Sequence, residues 1–223
     1  MSILKLSNIT AGYGKKPVLH NVSLEIPENE TLLIVGSNGS GKSTLLKVIY
    51  GLLSVWAGKV EYCDTLLHDV RHQTEPYRML ERGIMYVPQK NALFDDVSVV
   101  QNLQFSLLHL NNNRETKKRI GEVWEMIPDL QEKRHQFAGQ LSGGERKLLS
   151  LAMVIVNRPR LLLFDEPLAG LSEENIQTML HWLEIIRNEG ATLVIVEHRI
   201  VHIRTISKNI LNMDDCDNWN SGL

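Results

Sequence analysis

The run Gly36-Ser37-Asn38-Gly39-Ser40-Gly41-Lys42-Ser43 constrains this chain more than any other feature, because of what flanks it. Before it stands Thr31 to Val35, apolar on both faces, and after it a helix-favouring segment from about Ser43 to Tyr50, closed by Gly51. A run with no polar face suits a strand inside a parallel sheet, so the order is strand, loop, helix. Glycines let the loop backbone curl until successive N–H groups converge, and the helix N-terminus adds partial positive charge. Such a loop cradles a phosphate chain, with Lys42 reaching the β- and γ-phosphates, Ser43 offering its hydroxyl to Mg²⁺, and Thr44 following in the first helical turn.

Strand and helix signals alternate at both ends of the chain. Val22, Leu24 and Ile26 alternate with Ser23 and Glu25 as a half-buried strand, and Pro27-Glu28-Asn29-Glu30 makes a polar turn. A helical stretch near Glu75 to Glu81 precedes a short strand from Ile84 to Val87. From Val99 to Glu132 the sequence is mostly polar and helix-favouring, which reads as an insertion. Leu149, Ala152, Met153 and Val156 then recur at helical spacing, Pro159 stops that helix, and Leu161 to Phe164 form another wholly apolar strand. Ser172, followed by Glu173 and Glu174, is placed to cap a helix that runs to Gly190, and Ala191 to Val196 is the next strand. This alternation predicts an α/β domain with a mostly parallel sheet, interrupted by helices near residues 90 to 155. Its ligand belongs at the carboxyl ends of the strands.

Two further clusters fall at such places. Asp165 and Glu166 follow the strand of Leu161 to Phe164, where in P-loop ATPases the first acid holds the Mg²⁺ shell and a following Glu accepts a proton from the attacking water. In Leu141-Ser142-Gly143-Gly144-Glu145, Ser142 and Glu145 fit a capping box, and the two glycines expose backbone donors at a positive helix end suited to a second anion.

With its phosphate loop, acid pair and L-S-G-G-E run in this order, the chain resembles the ATP-binding subunit of ABC transporters, whose signature reads L-S-G-G-Q or L-S-G-G-E. The resemblance implies a P-loop NTPase core with a mostly parallel sheet, an N-terminal antiparallel β subdomain and an inserted α-helical subdomain, all within a single domain over residues 1–223. It implies ATP and Mg²⁺ as ligands, with Ser43, Gln89 and Asp165 around the metal. Tyr13 then stacks on adenine, Gln89 touches Mg²⁺ and the attacking water and senses a membrane partner, and His198 contacts the γ-phosphate. Catalysis falls to Glu166, His198, Gln89 and Lys42. Ser142, Gly143 and Gly144 would close over the ATP of a second ATP-binding subunit, identical or different, and Leu93 and Phe94 would offer apolar anchors to membrane-spanning subunits. The segments Tyr86-Val87-Pro88-Gln89, Asn91-Ala92-Leu93-Phe94, Val99 to Leu103 and Val196-Glu197-His198 are similar to ATPases of branched-chain amino acid importers. Lipid exporters share these features, and a non-catalytic nucleotide-binding regulator is a third reading that Glu166 and His198 weigh against. Two positions depart from the family pattern: Ser172 stands where many relatives have Asp, and Met153 where an arginine is frequent.

Composition removes other classes. A net charge of −2 and the absence of a basic stripe argue against nucleic acid. The apolar runs Leu151 to Val156 and Leu161 to Phe164 fall far short of the ~20 residues needed to cross a bilayer. The start, Met1 to Thr10, lacks a basic and apolar leader, so the product is expected to stay in the cytoplasm, and the resemblance then implies a place at the cytoplasmic face of a membrane, peripheral through partner subunits. Cys63 and Cys216 read as two reduced thiols. Apart from His198, the histidines, His181 and His202 among them, read as ordinary surface or helix residues.

Overall fold

The computed structural model describes residues 2–90, 92–198, 200–207 and 209–215. Asn91 and Cys216 therefore lie outside the described residues. The chain begins with two long strands, β1 (Ser2–Tyr13) and β2 (Lys16–Pro27), paired antiparallel. Leu4 and Leu6 face inward, but the inward set continues at Ile9 and Ala11, so the side-chain phase flips between them. Asn8, at φ 54°, makes that flip: a left-handed residue inserts a bulge, and its N–H is taken up by Ser23 Oγ at 2.9 Å. β3 (Thr31–Val35) is buried along its whole length and leads through the glycine loop into α1 (Lys42–Ile49).

β4 (Ala57–Tyr62) and β5 (Thr65–Asp69) complete an antiparallel sheet in the order β2-β1-β4-β5. After α2 (Tyr77–Glu81) and β6 (Ile84–Val87), four helices intervene: α3 (Val99–Ser106), α4 (Asn113–Met126), α5 (Pro128–Glu132) and α6 (Gly143–Asn157). β7 (Leu161–Asp165), α7 (Glu173–Asn188), β8 (Thr192–Val196) and β9 (Asn209–Asn212) follow, and the second sheet runs β6-β7-β8-β3-β9 with every pair parallel. Both sheets and the helices around them make this an α/β fold.

The parallel sheet separates two cores because alternate residues point to opposite faces. Leu33, Leu162, Phe164, Leu193 and Ile195 pack with Leu149, Leu183 and other residues of α6 and α7. Leu32, Ile34, Leu161, Leu163 and Val194 pack with α1 and the antiparallel sheet. Parallel pairing also brings the carboxyl ends of β3, β6, β7, β8 and β9 to one edge, where the glycine loop, the acid pair, Gln89 and His198 gather.

Two expectations require correction. Ser172 occupies the N-cap position of α7 with extended backbone, yet its side chain makes no capping hydrogen bond. Acidic Glu173 and Glu174 in the first turn supply the favourable interaction with the helix dipole instead. His68 is neither on the surface nor on a helix: it is buried in β5, with Nδ1 accepting the Thr74 N–H at 3.2 Å and Nε2 facing the Ile49 carbonyl at 3.1 Å. Those partners require the neutral ring, and burial lowers its pKa in the same direction. Among the described residues no helix is long and apolar enough to cross a membrane.

Candidate functional site

The phosphate loop starts where β3 ends, and its shape needs glycine at particular places. Gly41 caps α1 at φ 100°, a backbone angle that favours glycine, and a Cβ there would also stand 2.9 Å from Leu19 Cδ2 and oblige that side chain to shift. Gly36 sits at φ 147°, and a Cβ on it would meet Ser40 Oγ at 2.7 Å. Ser40 Oγ is itself buried without a hydrogen-bond partner among the described residues. A buried hydroxyl of this kind costs free energy unless a ligand completes it, so the loop is built around an acceptor it does not contain.

Lys42, only 5% exposed, folds back over the loop and donates to the Gly36 carbonyl at 2.9 Å and the Ser37 carbonyl at 2.8 Å. Its ammonium thus lies inside the cradle. Beside it, Ser43 Oγ donates to Asp165 Oδ1 at 2.9 Å, and Tyr86 reaches the other carboxylate oxygen at 3.4 Å. Burial raises the pKa of Asp165, while the Ser43 bond opposes the rise and Glu166 adds to it. Paired hydroxyl and carboxylate oxygens at a phosphate site are hard donors of the type that suits Mg²⁺.

Glu166 follows with φ 49°, a left-handed conformation that is uncommon for a residue with a side chain. Several contacts hold it there. Its N–H donates to the Val196 carbonyl at 2.9 Å, and Lys147 Nζ on α6 donates to its carbonyl at 3.3 Å. On the side chain, Gln89 Nε2 donates to Oε2, and His198 Nε2 lies 3.2 Å from Oε1. A strained backbone persists only where surrounding contacts over-determine it, as they do here. The carboxyl ends of β6, β7 and β8 therefore converge on one carboxylate.

The structure brings together Lys42, Ser43, Asp165, Glu166, Gln89 and His198, though Gln89 contacts Glu166 rather than the Ser43–Asp165 pair. Ser142 stands apart at the start of α6. Its hydroxyl accepts the Glu145 N–H, and its own N–H donates to the Glu145 carboxylate, so the capping box is formed. Lys133 pairs with the same carboxylate and, together with the Ser142 bonds, pulls its pKa down to about 2. Gly143 borders a cleft that also includes Gln89, Arg146 and Lys147. Phe94 is 58% exposed and stacks edge-on with Phe105, their centroids 5.8 Å apart, whereas Leu93 leans into the core. Buried Asn102 fixes that loop by bonding both the N–H and the carbonyl of Phe94, at 2.9 and 3.0 Å.

Sequence reasoning missed Lys147, Asn102 and Tyr86. Lys147 is four residues after Gly143, one helical turn along the same face, and that spacing carried the signal. Its ammonium is half-buried beside three carboxylates; burial lowers its pKa and Glu197, Glu166 and Asp165 oppose the shift.

Tyr13 ends β1 with its ring 49% exposed and Lys47 Nζ 5.9 Å from its centroid. An open aromatic face of this kind can carry a nucleobase. Stacking is worth about 1–3 kcal/mol, so Tyr13→Ala is expected to weaken nucleotide affinity roughly 5- to 150-fold while Tyr13→Trp retains it. Titration with a fluorescent ATP analogue checks this, and equal affinities for the alanine and tryptophan variants would place the base elsewhere.

Comparison with known proteins gives the family. Residues 19–169 match the family described as ABC transporter. A high-affinity branched-chain amino acid transport ATP-binding protein of Pseudomonas aeruginosa is 32% identical over 195 residues, covering 87% of this chain and 82% of that protein. The glutamine transport ATP-binding protein of Escherichia coli is 29% identical, covering 95% of this chain and 88% of its own length. The crystal structure of the ADP conformation of an ATP-binding cassette from an ABC transporter superposes with a TM-score of 0.83 at 26% identity, over 96% of this chain and 87% of that one. The matched span holds the phosphate loop at the end of β3, the capped L-S-G-G-E helix and the acid pair at the end of β7, and the chain belongs to the ATP-binding subunits of the ABC transporter family.

Proposed function

We propose that this chain hydrolyses ATP, with Glu166 as general base, and thereby powers transport through partner membrane subunits. The observation that carries the reading is the convergence on Glu166: Gln89 and His198 both contact a carboxylate one residue beyond the Ser43–Asp165 pair.

Lys42 leaves the Gly36 and Ser37 carbonyls and pairs with the β- and γ-phosphates, while the loop N–H groups and Ser40 Oγ supply further donors. Ser43 and Asp165 would hold Mg²⁺, which when bound neutralises charge on the phosphate oxygens. Glu166 takes the proton of the water that attacks the γ-phosphorus, the bond to the β-γ bridging oxygen breaks, and ADP keeps that oxygen. Gln89 and His198 fix the carboxylate on the side of the attacking water. A second copy, or a related ATPase, completes the site by aiming Ser142, Gly143 and Gly144 at the γ-phosphate, adding charge and excluding water. Hydrolysis removes the γ-phosphate from that contact and lets the two copies part.

Similarity to a branched-chain amino acid transport ATP-binding protein supports branched-chain amino acids or similar small solutes as the cargo we propose, with the chain peripheral at the cytoplasmic face of its membrane. Exposed Phe94 and Phe105 are suitable contacts for the membrane subunits. The test is uptake of radiolabelled leucine by cells with and without the gene, complemented by the wild-type or the Glu166→Gln chain. Uptake is expected to fall to background on deletion and to return only with the wild type. Uptake of leucine, isoleucine and valine that is indifferent to deletion overturns the assignment of cargo.

A further inference from the structure

β9 pairs with β3 up to the Val35–Asn212 register, and one more backbone bond, from the Met213 N–H to the Val35 carbonyl at 2.8 Å, carries the pairing to the edge of the P-loop. Met213 is so close to the loop that a Cβ on Gly36 would stand 3.1 Å from its own Cβ. The next residue places a carboxylate on the loop itself. Asp214 Oδ2 accepts the Ser37 N–H at 2.7 Å, and Oδ1 accepts the Ser37 hydroxyl at 2.7 Å. These bonds hold the Asp214 carboxyl below the usual carboxylate range, with a smaller contribution from Lys42.

Ser37 is held from the other side as well. Its carbonyl accepts Lys42 Nζ at 2.8 Å and the Ser40 N–H at 3.3 Å. When phosphates draw the ammonium away, the bonds from Lys42 to Gly36 and Ser37 are lost. The Asp214 bonds fall on different atoms, the N–H and the hydroxyl, and do not depend on where Lys42 points. They are charge-assisted and short, the stronger class of hydrogen bond. We propose that Asp214 is a positioning residue of the P-loop, a carboxylate carried on the end of β9 that keeps Ser37 fixed while Lys42 transfers from loop carbonyls to nucleotide phosphates. The inference rests on the nucleotide reading of the loop and extends it to a segment beyond the matched residues 19–169.

The opposing effect is electrostatic. A carboxylate near bound phosphates repels them, and if repulsion outweighed positioning, removing it would tighten binding. Two measurements separate these outcomes. Amide hydrogen exchange of the peptide containing Ser37, in nucleotide-free protein, reports whether the loop is held. Titration of a fluorescent ADP analogue with Mg²⁺ reports affinity. Asp214→Ala is expected to speed exchange of that peptide and to weaken nucleotide binding about tenfold. Asp214→Asn, which keeps one acceptor, falls between it and the wild type and guards against misfolding of the alanine variant. Ser37→Ala costs less than Asp214→Ala because its backbone N–H still bonds, and it costs nothing further once Asp214 is already Ala. Unchanged exchange and affinity in Asp214→Ala, or tighter binding, overturns the proposal. Should the wild type bind no nucleotide, the phosphate reading of the loop fails, while exchange in the nucleotide-free variants still decides whether Asp214 holds Ser37.

Discussion

Lys42→Ala is expected to lower nucleotide affinity on the order of 100-fold and to reduce hydrolysis to background at moderate ATP concentrations. Two terms oppose each other. One unit charge about 4 Å from another is worth about 4 kcal/mol at the effective dielectric of a protein surface, which alone corresponds to roughly 1,000-fold. Against this stands the cost of leaving the Gly36 and Ser37 carbonyls, which Lys42 bonds in the nucleotide-free protein. Exchanging those bonds offsets about 1–2 kcal/mol of the gain and leaves on the order of 100-fold. The fold itself survives the substitution, because Ser37 keeps the bonds from Ser40 and to Asp214. Equilibrium titration with labelled ATP, beside a melting curve without nucleotide, checks both halves. Wild-type affinity in a folded Lys42→Ala chain would remove the loop from the nucleotide site.

For Glu166→Gln the expected effect falls on the chemical step. Glutamine has the same shape, can still accept from Gln89, and inherits the backbone bonds to Val196 and Lys147. What it lacks is the capacity to take a proton from water, a contribution of roughly 100- to 10,000-fold in rate. It also lacks one negative charge next to Asp165, a charge that pushes the Asp165 pKa upward. Removing it favours the ionised form of Asp165 and the approach of the anionic nucleotide. Phosphate release at saturating ATP should therefore fall by that factor while ATP affinity is retained or rises. A variant that hydrolyses at the wild-type rate would exclude Glu166 as the base.

Most of the parallel sheet was legible because β3, β7 and β8 are buried along their whole length and, between a threonine at the start of β3 and β8 and Asp165 at the end of β7, are wholly apolar. Position along the sheet then followed from the rule that ligands sit at strand carboxyl ends, which placed the glycine loop and the acid pair on one edge, while His198 came from the family resemblance. Elements whose cause lies in unusual backbone were not legible. The β4–β5 hairpin turns through Cys63 and Asp64, at φ 47° and 58°, without the glycine by which such a turn is normally read. The bulge at Asn8 reverses the phase of β1, so the alternation of Leu4 and Leu6 describes only half of that strand. β9 is four residues long with asparagine at both ends, and its partner is distant in sequence. Asp214 was invisible for that reason, since only the pairing of β9 with β3 brings it to Ser37. Ser172 shows the converse: a cap-forming residue in the cap position whose side chain does not make the bond.

In the proposed cycle each ATP site is completed by two chains, one giving Lys42, Asp165 and Glu166 and the other Ser142, Gly143 and Gly144. Slowing hydrolysis makes that state persist, so the Glu166→Gln chain is the form in which to weigh it. Size-exclusion chromatography with light scattering should give twice the chain's 25.4 kDa with ATP and Mg²⁺, and 25.4 kDa with ADP or without nucleotide. A monomer mass with ATP bound would exclude a second copy of this chain as the partner and leave only a different ATPase, and a dimer indifferent to the nucleotide would contradict the account.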